Sequence, residues 1–119
     1  MGGTRAIPLS VHAAIETVAA PAIMAAPLLL GFGRAAGVIA FAIGVTLFGL
    51  ALQSVGPGRA IPLSAHAGFD YVLAILASTG GLAVGLVTGE WASALFLVGI
   101  GVAQAALTAS TRFSIPAAP

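Results

Sequence analysis

Charge is nearly missing from this chain. Only 6% of its 119 residues are charged, against about a quarter in an ordinary soluble domain. Hydrophobic residues make up 60%, so there is too little polar surface to wrap a water-soluble domain of this size. The solvent that suits such a surface is a lipid bilayer. A net charge of +1 without a basic cluster gives no electrostatic footprint for nucleic acid. Cysteine is absent, which excludes disulfides, thiolate metal sites and thiol chemistry. In MGGTRAIPLS no charged segment leads into a short apolar run with a cleavage site. The first hydrophobic stretch is therefore expected to be retained rather than removed as a signal peptide. Met1-Gly2 followed by Arg5 does not fit the myristoylation pattern either. Alternating polarity, the mark of a membrane barrel strand, is missing as well.

What is present is continuous apolarity. A helix needs about 20 apolar residues to cross the hydrocarbon core, and four segments meet that length: Val11–Leu30, Ala35–Val55, Ala65–Val87 and Trp91–Thr111. GFGR, GPGRAIPLS and TGE separate them. Links this short leave no room for a soluble domain and force consecutive helices into antiparallel hairpins.

The phrase RAIPLSVHAAIE at Arg5–Glu16 returns as RAIPLSAHAGFD at Arg59–Asp70. Each copy opens a pair of spans, an even number, so both copies point the same way across the bilayer. The expected fold is an all-α membrane protein, in which four transmembrane helices form two parallel two-helix repeats about a pseudo-twofold axis along the membrane normal. The first repeat covers residues 1–58, and the second covers 59–119 with a short tail. A third copy begins with RFSIP at Arg112–Pro116 and stops. Ile-Pro-Leu-Ser reads as a helix entry, with the proline tolerated at the start and the serine as the cap. Arg5, Arg59 and Arg112 fall on one side of the membrane, and Arg34 with Glu90 on the other. The positive-inside bias then places both ends in the cytoplasm of a multi-pass protein of the cell (inner) membrane.

Inside the spans, Gly81, Gly85 and Gly89 share a face of the third helix, where small residues let two backbones approach closely in lipid. That partner helix belongs to the same chain or to a second copy, and the thin, Gly- and Ala-rich helices favour a homo-oligomer. Pro21 and Pro27 in the first span, and the STGG stretch of the third, are expected to weaken those helices.

Polar side chains gather in one layer. His12 stands one turn from Glu16, and His66 one turn from Asp70. Gln104 lies near the depth of the carboxylates and Gln53 near that of the histidines. A carboxylate facing lipid is expensive, so His12, Glu16, His66 and Asp70 are expected to converge in one buried cluster. Three readings of that cluster follow. It is a pinning network that locks the two halves together. It is a ligand site, holding a divalent metal on the four side chains or a haem iron between the two imidazoles. Or it belongs to a proton or small-solute path, with Thr46, Ser78 and Thr79 as its mid-membrane continuation. Catalysis finds little support, because Ser10 and Ser64 are better explained as caps than as nucleophiles. The chain thus reads as a structural or ligand- or partner-binding bundle, with a transporter or channel as the alternative.

APLLLGF at Ala26–Phe32 resembles the motif region of the SPW-repeat family of small bacterial membrane proteins. Ala26, Pro27 and Leu28 take the places of its Ser-Pro-Trp, and Gly31-Phe32 follows as a Gly-Phe often does there. The resemblance implies a repeat of two membrane helices and no particular activity. The DoxX-like four-helix membrane proteins are a looser likeness of similar size.

Overall fold

Proline sets where two of the four long helices begin. In this computed structural model, which describes residues 5–55 and 61–114, helix α1 runs Leu9–Leu30 behind Pro8 and α3 runs Leu63–Thr88 behind Pro62. Both prolines are the last extended residue before the helix, with φ −66° and ψ 154° at Pro8 and φ −58° and ψ 147° at Pro62. A missing N–H matters little there, because the first-turn donors lack helical partners in any case. The caps expected from Ser10 and Ser64 do not form: both serines lie inside the first turn, exposed, and neither helix has a side-chain cap bond.

Helices α2 (Arg34–Val55) and α4 (Trp91–Ala109) complete the set. All four helices are long and apolar enough to cross a membrane. Both α1 and α3 end at a left-handed glycine, Gly31 at φ 70° and Gly89 at φ 75°. A side chain at that φ would clash with the backbone, which is why glycine stops each helix there. Neither α1 nor α3 breaks. Pro21 and Pro27 lie within a continuous α1, and the STGG stretch lies within a continuous α3.

Hairpin α1/α2 packs beside hairpin α3/α4, and the two meet chiefly through α2 and α3. The interior is thin: Ala20, Ile43, Leu47, Leu50, Leu73 and Ala77 form one cluster, and Ala36, Ala40, Val84 and Leu97 a second. Large aliphatic side chains point outward, Leu28 at 86% exposure and Val87 at 84%. The most buried side chains include His12 and Asp70, both at 0%. This inversion of the water-soluble pattern is what a hydrocarbon solvent favours.

Glycine brings the helices together. A Cβ at Gly81 would stand 2.8 Å from the Ala94 carbonyl, and one at Gly85 would meet the Trp91 ring. These two residues therefore face α4 of the same chain, whereas Gly89 serves as the helix stop. At Gly101 a Cβ would come within 2.6 Å of the Ala74 carbonyl oxygen. Backbone cannot yield as a side chain does, so Gly101→Ala should push α3 and α4 apart and cost about 1–3 kcal/mol. Gly99→Ala, where nothing lies within 4 Å, is the control. Thermal unfolding in detergent should separate the two variants, and equal midpoints would contradict this packing.

Two short extended segments close one end. Strand β1 (Ile7–Pro8) pairs in parallel with β2 (Thr111–Arg112), and Ile7 N donates to Ser110 O at 3.0 Å. Helix α4 therefore ends at Ala109, not at Thr111 as the hydropathy pattern suggests, because the chain leaves the helix to make this pairing. Arg59 and the Ile115-Pro116 part of the third repeat lie outside the described residues. At the opposite end Glu90 Oε1 accepts the Gly33 N–H at 2.9 Å and joins the two hairpin loops. Glu90 is half-buried there, not the free loop carboxylate that its position in TGE suggests.

Candidate metal centre

The helix entry places its histidine one turn in and its carboxylate two turns in. On α1 these are His12 and Glu16, on α3 His66 and Asp70, and all four are buried. The two pairs face each other and form a closed ring. His12 Nε2 lies 3.0 Å from Asp70 Oδ2 and 3.1 Å from Glu16 Oε2. His66 Nε2 lies 3.2 Å from Asp70 Oδ2 and 3.5 Å from Glu16 Oε1. Imidazole and carboxylate alternate around the ring, and the four ligand atoms all lie within 4.8 Å of one another.

Three further side chains brace this ring, and two of them, Thr111 and Phe113, do not stand out in the sequence as site residues. Thr111 Oγ1 lies 2.6 Å from the Leu107 carbonyl and 2.8 Å from His12 Nδ1. The carbonyl can only accept, so the single hydroxyl proton goes to it. Toward the imidazole the threonine offers only lone pairs, and His12 Nδ1 carries a proton. In a neutral ring the Nε2 lone pair then points at the two carboxylates. Phe113 covers the cluster, its ring centroid 5.1 Å from that of His12 and 5.7 Å from that of His66. Gln104 Nε2 donates to Glu16 Oε2 at 2.7 Å and positions that carboxylate from α4.

Several buried polar atoms in the ring lack a hydrogen-bond partner: Glu16 Oε1, His66 Nε2 and Asp70 Oδ1. Thr108 Oγ1, one turn beyond Gln104, is a fourth. In an apolar interior each such group costs about 1–3 kcal/mol unless something satisfies it. With both imidazoles neutral and protonated on Nδ1, their Nε2 lone pairs would face the carboxylate oxygens and need a positive centre between them. Two protons meet that need, and so does one divalent cation.

Other polar residues do not join the ring. Gln53, on α2, is exposed and is not one of the four ring residues. Thr46 and Thr79 are exposed and donate to the carbonyls of Ala42 and Ile75 in their own helices, each at 2.8 Å. A haem does not fit between the histidines. Both Nε2 atoms already touch the same Asp70 oxygen, which leaves no room for a macrocycle. Compared with protein-family profiles, curated proteins and solved structures, the chain finds no match.

Proposed function

We propose that this chain is an integral membrane protein that binds one divalent metal ion of the zinc class through His12, Glu16, His66 and Asp70. The observation that carries this reading is the alternating ring, with contacts of 3.0–3.5 Å. Ligands about 2.0–2.1 Å from a tetrahedral ion stand roughly 3.3–3.5 Å apart. The four imidazole–carboxylate contacts already have nearly that length. The set of ligand atoms, which lies within 4.8 Å, would draw in slightly around the ion. Two imidazoles and two carboxylates suit zinc or a neighbouring first-row ion better than calcium or magnesium, which prefer all-oxygen shells. Two carboxylates balance the 2+ charge, and the buried site stays neutral. Thr111 supports the reading because metal-bound histidines usually donate their other N–H to an acceptor that fixes the tautomer.

The ion has a structural role in this reading: it joins α1 to α3, which scarcely touch through their backbones. The repeated phrase supports a pseudo-twofold relation between the hairpins, and the SPW-repeat likeness of Ala26–Phe32 fits the same two-helix unit. The arginine balance, Arg5, Arg59 and Arg112 against Arg34, supports a cytoplasmic position for the cluster. Permeation finds less support, since Thr46 and Thr79 bond their own helices and face outward.

The reading is tested by zinc content after purification in mild detergent and by the visible spectrum of the cobalt-substituted protein. Near one equivalent of metal per chain is expected. A metal-free protein that fails to take up zinc leaves the pinning network as the role of the cluster. Thr111→Val removes the acceptor for His12 Nδ1 and replaces none of the four proposed ligands. It should weaken zinc binding about 10–100-fold, with Thr111→Ser restoring it. An unchanged affinity in Thr111→Val would remove the tautomer argument.

A further inference from the structure

Helices α1 and α4 stand apart over most of their length, and a cleft of about 410 Å³ lies between them. The short side chains of Ala19, Ala22 and Ala26 on α1 leave it open, and Phe96 lines it on α4. Ala22 and Ala103 are exposed, so the cleft opens sideways to the surroundings of the bundle. One end is polar, because Glu16 and Gln104 line it.

Gln104 supplies the second observation. Its Nε2 donates to Glu16 Oε2 at 2.7 Å. A carboxylate offers no proton at that contact, so the amide orientation follows and Oε1 is the remaining atom. Among the described residues no donor reaches Oε1, which unlike the orphaned atoms of the ring is not wholly enclosed; Gln104 lines the cleft. An acceptor without a donor thus stands at the end of an apolar slot.

Depth restricts what can fill it. Glu16 lies about 10 Å along α1 from its start at Leu9, which in a spanning helix that begins at the edge of the hydrocarbon core sets it below the phospholipid headgroups. A charged head would have to leave water to reach Gln104, and an anionic one would also meet Glu16. A plain hydrocarbon reaches the slot but leaves the acceptor unpaired.

We infer that the cleft binds an uncharged single-chain lipophile whose hydroxyl head donates to Gln104 Oε1 while its chain lies along Ala19, Ala22 and Ala26. The inference rests on the helices spanning a membrane and is independent of the metal. Insertion is checked first, by resistance of the membrane-bound protein to alkaline extraction, so that failure of that reading is seen separately.

The test uses the full chain in phosphatidylcholine nanodiscs and two photoreactive probes, a diazirine hexadecanol and the matching diazirine hexadecane. The alcohol should label α1 and α4 at the cleft at least about tenfold more than the alkane, the ratio expected when one added hydrogen bond decides occupancy. Ala22→Phe, which fills the slot and leaves Glu16–Gln104 intact, should abolish labelling by both probes. Gln104→Leu should bring the two probes level, and if that variant fails to fold, the wild-type ratio and Ala22→Phe decide. Equal labelling in the wild type would overturn the inference and leave a groove for any lipid chain. No labelling at the cleft would overturn it too. So would an Ala103→Cys crosslink between two chains, which would make a second copy the occupant.

Discussion

Asp70→Ala is expected to lower the stability of the protein in detergent by about 3–5 kcal/mol, the usual consequence of removing one partner from a buried ion pair. Asp70 is wholly buried, and one of its oxygens meets both imidazoles, at 3.0 Å and 3.2 Å. Truncation leaves His12 and His66 facing Glu16 with half of the balancing charge gone. In an apolar surround no water enters easily to compensate. Arg34→Ala is the suitable control, because Arg34 is exposed and such changes usually fall within about 0.5 kcal/mol. Glu90→Ala is not neutral, since it releases the Gly33 N–H from the opposite end of the bundle. Unfolding of both variants in mixed micelles decides the matter. A loss below about 1 kcal/mol for Asp70→Ala would mean that the ring does not hold the hairpins together.

His66→Ala should weaken zinc binding by more than about 100-fold, beyond the range typical of lost outer-shell partners. It removes one of four donors, and three remaining ligands leave a coordination position for solvent or for nothing. The effect should exceed that of Thr111→Val, which perturbs His12 only through its tautomer. Competition with a chromogenic chelator, on protein shown to be monodisperse, measures both variants on one scale. Thr111→Val losing more affinity than His66→Ala would contradict the assignment of His66 as a ligand.

The sequence carried most of this arrangement because three constraints act together. Lipid makes outward-facing carboxylates costly, helical spacing puts His12 with Glu16 and His66 with Asp70, and the repeated phrase starts both helices at the same point. Those constraints are enough to bring the four side chains together. They do not place Thr111 and Phe113, which lie beyond the end of α4 and reach the ring only through the pairing of β1 with β2. A signal was nonetheless present. Gln104, Thr108 and Thr111 follow one another at helical spacing, a polar stripe on an otherwise apolar helix. Hydropathy extends the helix through Thr111 because no charge interrupts the stretch before Arg112, and a two-residue strand leaves no periodic trace.

The helix caps and the glycines were harder to read. Serine after proline looks like a cap, yet a proline with fixed φ at the last extended position moves the helix start ahead of the serine. Glycines at regular spacing look like one packing face, yet Gly81 and Gly85 face α4 while Gly89 turns the chain. Spacing reports which residues share a face. Only the neighbouring helix decides what that face meets.

The metal reading is tested most directly by X-ray absorption at the zinc edge, on protein purified from membranes and equilibrated with one equivalent of zinc. The predicted first shell has two imidazole nitrogens and two carboxylate oxygens at about 2.0–2.2 Å, with no sulfur. That shell should vanish in the His12→Ala, His66→Ala double variant. A spectrum without imidazole scattering, or one unchanged by the double substitution, would contradict the assignment of His12, Glu16, His66 and Asp70 as a metal centre.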